Sequence, residues 1–174
     1  MRPVYSYTRG RHDMPDLDRL LATYLNEHLF GSTAGLDLFR RVARSHRGTE
    51  LGDKLQRLAD EVQTDRDALL SIMADLEITP SRLRVAVGHT VERLGRLKPN
   101  GTLIRRSPLT DLLEIEALRV AVLAKTAGWE VLREVAAREA RLSRDTICDL
   151  LDRANDQRER LGELHLEVGR RTLG

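Results

Sequence analysis

The chain has 174 residues, 41% hydrophobic but only 3% aromatic, with 29 Lys plus Arg against 27 Asp plus Glu and a formal charge of +2. That length suits one domain, and a hydrophobic content dominated by Leu, Ala and Val among Arg and Glu favours helices over a β-sandwich or barrel. Lys54, Lys98 and Lys125 are the only lysines, and acids are interspersed with the arginines throughout, so no basic block marks a nucleic-acid footprint and no nucleic-acid partner is expected.

Residues 1–15 read as a flexible polar arm without the apolar core of a signal peptide, and residues 16–174 as one helical-bundle domain. The first helix is expected from about Asp16 to Ser45, with Leu20, Leu21, Tyr24, Leu25, His28, Leu38, Phe39 and Val42 on one broad face. Gly48 punctuates its end and Thr49 caps a second helix from about Glu50 to Leu76, carrying Leu51, Leu55, Leu58, Val62, Leu69, Ile72 and Met73. Thr79-Pro80 opens a shorter helix to about Leu97, with Leu83, Val87, Val91 and Leu94 on its apolar face. Ser107-Pro108 repeats the cap-plus-proline signal and starts a long helix to about Arg138. Between Ile115 and Ala127 that helix is apolar almost all round, the pattern of the most buried element. Ser143 caps the last helix, which runs to about Arg171 with Ile147, Leu150, Leu151, Ala154, Leu161, Leu164 and Val168 in its stripe.

Each of the four long helices would extend about 40–48 Å. Short turns near Arg47-Gly48 and Ala140–Leu142 make two antiparallel hairpins, whereas the connection from Glu77 to Ser107 is too long for a neighbour turn. The expected fold is therefore all-α: a four-helix bundle of two hairpins joined by a long helical crossover. An up-down-up-down bundle with a helical insertion is the alternative. Val120 to Trp129, the longest apolar stretch, is interrupted by Lys125, so no membrane span is expected. The single Cys148 permits no internal disulfide, and a reducing cytoplasm is the expected location.

In helix lengths and connectivity the chain resembles the ferritin-like superfamily. The patterns Tyr24-Leu-Asn-Glu-His-Leu29, Ser32-Thr-Ala-Gly35 and Glu114-Ile-Glu116 are similar to those of a group of uncharacterised bacterial proteins of that fold. The superfamily resemblance implies a di-iron or di-manganese centre held by a Glu from each of two helices and a Glu-x-x-His motif from each of the others. The sequence departs from that pattern. Glu61 is followed three positions on by Thr64, Glu159 by Gly162 and Glu163 by Leu166, and His165 is preceded by Gly162. No cofactor is expected on that ground. The alternative, iron or manganese on non-standard ligands, would draw on Glu27, His28, Glu61, Asp65 and Glu114.

Polar residues inside apolar stripes are the more informative signal, since burying one without a partner costs about 1–3 kcal/mol. Tyr24, His28, Asp65, Lys125 and Gln157 are such residues; in paired antiparallel hairpins His28, Asp65, Lys125 and Gln157 fall at one mid-bundle level, with Tyr24 one turn from His28. The expected network has Asp65 accepting from His28 or Lys125. It would fix helix register, or its charged ends would reach solvent along the helix edges, or it would serve a ligand. Gly31-Ser-Thr-Ala-Gly35 is costly inside a helix. It suggests either close helix contact against Ala124, Ala127 and Gly128, or a pocket formed by Gly31, Ser32, Gly35, Gly128 and Trp129 with Tyr24 as a wall. No nucleophile stands with a base and no coenzyme motif is present, so a non-catalytic structural or interaction module, assembled as a homodimer, is the leading expectation. A metal or redox protein and a small-ligand binder are the alternatives.

Overall fold

The computed structural model describes residues 17–81 and 107–174. All of the regular structure there is helical: α1 (Leu17–Ser45), α2 (Glu50–Asp75), α3 (Pro108–Val135) and α4 (Arg144–Leu173). The expected arm at 1–15 falls outside the described residues, as does nearly all of the expected helix from Pro80 to Leu97.

The helix ends follow from local chemistry. Thr49 accepts the Gly52 backbone N–H, Ser107 that of Leu109 with Pro108 just inside the helix, and Ser143 that of Thr146. Gly48, at φ +80°, supplies the left-handed residue that turns α1 into α2. At the end of α2 the same conformation is taken by Glu77, at φ +58°. The Ile78 N–H bonds back to the Met73 carbonyl and the Glu77 N–H to that of Ala74, a Schellman arrangement with Glu where glycine is usual.

Ion pairs and hydrogen bonds give the directions. Arg41 of α1 meets Glu114 of α3 at 2.5 Å, and Lys54 of α2 lies 3.8 Å from Glu167 of α4. His46, Asp111 and the Thr172–Pro108 hydrogen bond therefore share one end of the bundle, while Arg141 reaches Asp18 and the Leu76 carbonyl at the other. Each helix runs antiparallel to its neighbours, in the order α1, α2, α4, α3 around the bundle. The end of α2 and the start of α3 thus lie at opposite ends.

The core divides into two large layers. Leu25, Leu29, Met73, Trp129, Leu132 and Ile147 fill one, and Phe39, Val42, Leu55, Leu58, Leu118 and Leu161 fill the other. Three expectations are corrected. Helix α3 is not the most buried element: Leu109, Leu113, Val120 and Leu123 are each at least half exposed on one stripe. Its all-round apolar sequence reflects one face turned to the core and a second face left open. It also ends at Val135 rather than Arg138, because the chain turns at Ala136 to begin the link to α4. Leu20, placed by periodicity on the buried face of α1, is exposed near the end of the bundle.

Candidate functional site

Between α1, α2 and α3 lies a cavity of about 350 Å³. Its walls are Leu25, Phe39, Val62, Leu69, Val122, Trp129 and Leu132, with the small residues Gly31, Ser32, Gly35, Ala121, Ala124 and Gly128 along the α1–α3 seam. Exposed members of the lining, Glu27 and Gly31 on one side and Val120 and Ala124 on the other, mark its mouth.

The glycines explain the space. At Gly128 a Cβ would stand 2.8 Å from the His28 ring, so close packing accounts for glycine there, whereas at Gly35 it would make an ordinary van der Waals contact, 3.5 Å from the Ala121 Cβ. At Gly31 a Cβ would meet nothing within 4 Å. Glycine there lowers helix stability by about 1 kcal/mol relative to alanine with no contact to compensate. The expectation that Ala127 packs against this patch is corrected, since Ala127 is exposed and is not among the residues that line the cavity.

One side of the cavity is ionic. Asp65, 1% exposed on α2, accepts from Lys125 of α3, from Arg153 Nε of α4 at 2.5 Å, and from Gln157 Nε2 at 3.1 Å. Lys125 also donates to Gln157 Oε1, and Gln157 Nε2 lies 3.2 Å from Glu61, whose carboxylate takes the Arg160 guanidinium. Burial pushes the Lys125 ammonium below the ordinary lysine range, and the Asp65 carboxylate beside it opposes that shift. Asp65 and Lys125 line the cavity, whereas Gln157 stands behind them.

Of the residues expected at this level, the structure joins Asp65, Lys125 and Gln157 in one network, with Lys125 as the donor to Asp65. His28 is not part of it. It packs edge-on to Tyr24, with ring centroids 4.5 Å apart, and over Gly128. Burial lowers the His28 pKa and raises that of Tyr24, so both are neutral at pH 7. Arg153 and Arg160 were not anticipated. Each is half-buried, reaching inward from the edge of α4, and one turn from Gln157 in Arg153's case was the only signal. Arg66 was also missed; its Nε donates to Thr33 Oγ1 at 3.2 Å.

The ligand set Glu27, His28, Glu61, Asp65 and Glu114 does not converge. Asp65 and Glu61 are each held by guanidinium groups, and Glu114 is held by Arg41 toward the far end. These residues do not fit a di-metal centre. Among the described residues the only trio with ligand atoms within 4.8 Å of one another is His46, Asp111 and Glu114 at the bundle end. No described helix is long and apolar enough to cross a membrane. Comparison with family models, curated proteins and solved structures finds no match to this chain.

Proposed function

We propose that the protein is a non-catalytic helical bundle that binds a small, mainly apolar molecule in the cavity between α1, α2 and α3. The observation that carries this reading is Gly31, a helix-interior glycine facing open space at the mouth of a 350 Å³ cavity. The volume and the mostly apolar walls with a few polar groups match the usual form of small-molecule sites. The closed ionic network supports a structural role for Asp65, Lys125 and Gln157, which hold α2, α3 and α4 in register around the cavity. The opposite ends taken by the end of α2 and the start of α3 support a ferritin-like crossover as the architecture.

Trp129, the only tryptophan, forms part of the wall and reports on occupancy. Titration with toluene should shift its emission with a saturable, one-to-one isotherm, and Gly31→Leu should weaken binding at least tenfold without lowering stability. A linear response that Gly31→Leu leaves unchanged would reject the reading.

A second reading, homodimerisation, is favoured by the exposed stripe of Leu109, Leu113, Val120 and Leu123 on α3. Light scattering should give twice the chain mass, and Leu113→Glu with Leu123→Glu should return the monomer. A wild-type monomer at high concentration would dismiss it.

A further inference from the structure

The outward face of α3 carries a regular apolar seam. Leu113, Ala117, Val120, Ala124, Ala127 and Val131 are all exposed, and they follow one another at intervals of four, three, four, three and four residues. That is the spacing of the positions by which one helix packs along another in a coiled coil. The buried residues of α3, among them Ile115, Leu118 and Val122, point the other way. The seam also pairs off about its own midpoint. Counting outward from Val122, Val120 mirrors Ala124, Ala117 mirrors Ala127 and Leu113 mirrors Val131, so a larger residue opposes a small one at the centre and branched residues meet at the ends. A partner of unrelated sequence has no need of such a mirror. A two-fold axis does, because it lays the seam against its own reverse.

Resting on the homodimer reading above, we infer that a second copy of the chain docks antiparallel on this seam, with the two-fold axis at the level of Val122. Leu113 then meets the partner's Val131, Ala117 the partner's Ala127 and Val120 the partner's Ala124. Helix α3 has 28 residues, so a face about 42 Å long and about 20 Å wide, α3 with the adjoining edge of α4, offers roughly the 800 Å² that each side of a standard interface buries. Charge fits the same axis. Lys125 bonds to Gln157 and Arg119 to His165, so the residues of α4 near Leu161 stand level with Val122. The two-fold brings the partner's Glu116 between Glu130 and Arg158. Arg158 is exposed in the groove beside Val120 and Leu123 and makes no ion pair among the described residues, so the partner's carboxylate supplies one.

Cysteine pairs read this register directly. In a Cys148→Ser background, Leu113→Cys and Val131→Cys proteins are oxidised with glutathione disulfide, each alone and as a mixture. Both positions are exposed, so neither change disturbs the core. The mixture should give a disulfide-linked dimer joining position 113 of one copy to position 131 of the other, and neither protein alone should cross-link. Leu113→Cys that links to itself, as a parallel seam requires, overturns the antiparallel register while leaving the dimer intact. A dimer by light scattering in which no combination cross-links does the same. The charges give a second readout. Arg158→Glu should raise the dimer Kd about tenfold, because each of the two symmetry-related pairs turns from attraction to repulsion. Adding Glu116→Arg should restore association. An unchanged Kd in Arg158→Glu overturns the placement of the axis. A wild-type chain that stays monomeric at high concentration overturns the inference together with the reading beneath it.

Discussion

Replacing Asp65 by alanine removes the carboxylate on which Lys125, Arg153 and Gln157 converge. Arg153 is more than a third exposed in its side chain and recovers water when released, so its share of the loss is small. Lys125 is different. Its side chain is 14% exposed, and without Asp65 it keeps only the Gln157 carbonyl oxygen. Breaking a buried pair from one side costs about 3–5 kcal/mol. For a domain of this size that lowers Tm by about 6–20 °C, and against a total of about 5–15 kcal/mol it is a large fraction of the stability. The double variant Asp65→Leu with Lys125→Met replaces the pair by apolar groups and should recover most of the loss, since such replacements are often neutral. Urea unfolding of the wild type, Asp65→Leu, Lys125→Met and the double variant closes a cycle that gives the coupling directly. The pH dependence adds a signature. With Asp65 gone, the Lys125 pKa falls further below its unfolded value, so the folded state binds fewer protons than the unfolded state in the alkaline range. The Asp65→Ala penalty should therefore narrow as pH rises toward that of free lysine. An Asp65→Ala protein that unfolds with the wild-type midpoint, or a penalty indifferent to pH, would refute the desolvated-ammonium argument.

The helix-interior glycines should separate by surroundings: Gly31→Ala and Gly162→Ala, each with an open Cβ position, should each add about 1 kcal/mol in urea unfolding. Gly128→Ala should instead destabilise by about 1–3 kcal/mol because the new methyl meets the His28 ring. Glu77→Gly should stabilise by about 1 kcal/mol by relieving the left-handed residue of the α2 cap, and an unchanged midpoint would show that the cap carries no strain. His28 has a depressed pKa in the fold, so its contribution is complete above the unfolded histidine value near 6.5 and is lost as pH falls through the lower folded value. Thermal unfolding of His28→Gln should accordingly show a flatter acid limb than the wild type, and parallel limbs would contradict the assignment.

Much of the architecture was legible because the helix signals are local. Ser107-Pro108, Ser143 and Thr49 cap the helices they were expected to cap, and the stripes of α2 and α4 are buried as their periodicity requires. The second face of α3 was not legible. Periodicity reports that Leu113, Val120 and Leu123 are apolar, and it has no means of saying which side of an all-round apolar helix meets the core. The polar level was legible in part because burial selects partners. Asp65, Lys125 and Gln157 interrupt stripes and so had to be satisfied together, whereas Arg153 and Arg160 lie at a stripe edge and read as surface. His28 interrupts a stripe too, yet it meets Tyr24 and Gly128, since α1 faces α3 there rather than the Asp65 side of α2.

The central claim is that the space bounded by Gly31, Gly35, Ala121, Trp129 and Leu132 accepts an apolar guest. Diffraction from crystals held under xenon pressure tests it most directly, because xenon enters apolar cavities without needing a polar partner. The account predicts ordered xenon in contact with Trp129 and Leu132 in the wild type and none in Gly31→Leu. Wild-type crystals with no xenon between α1 and α3, or with xenon sites only elsewhere in the bundle, would contradict it.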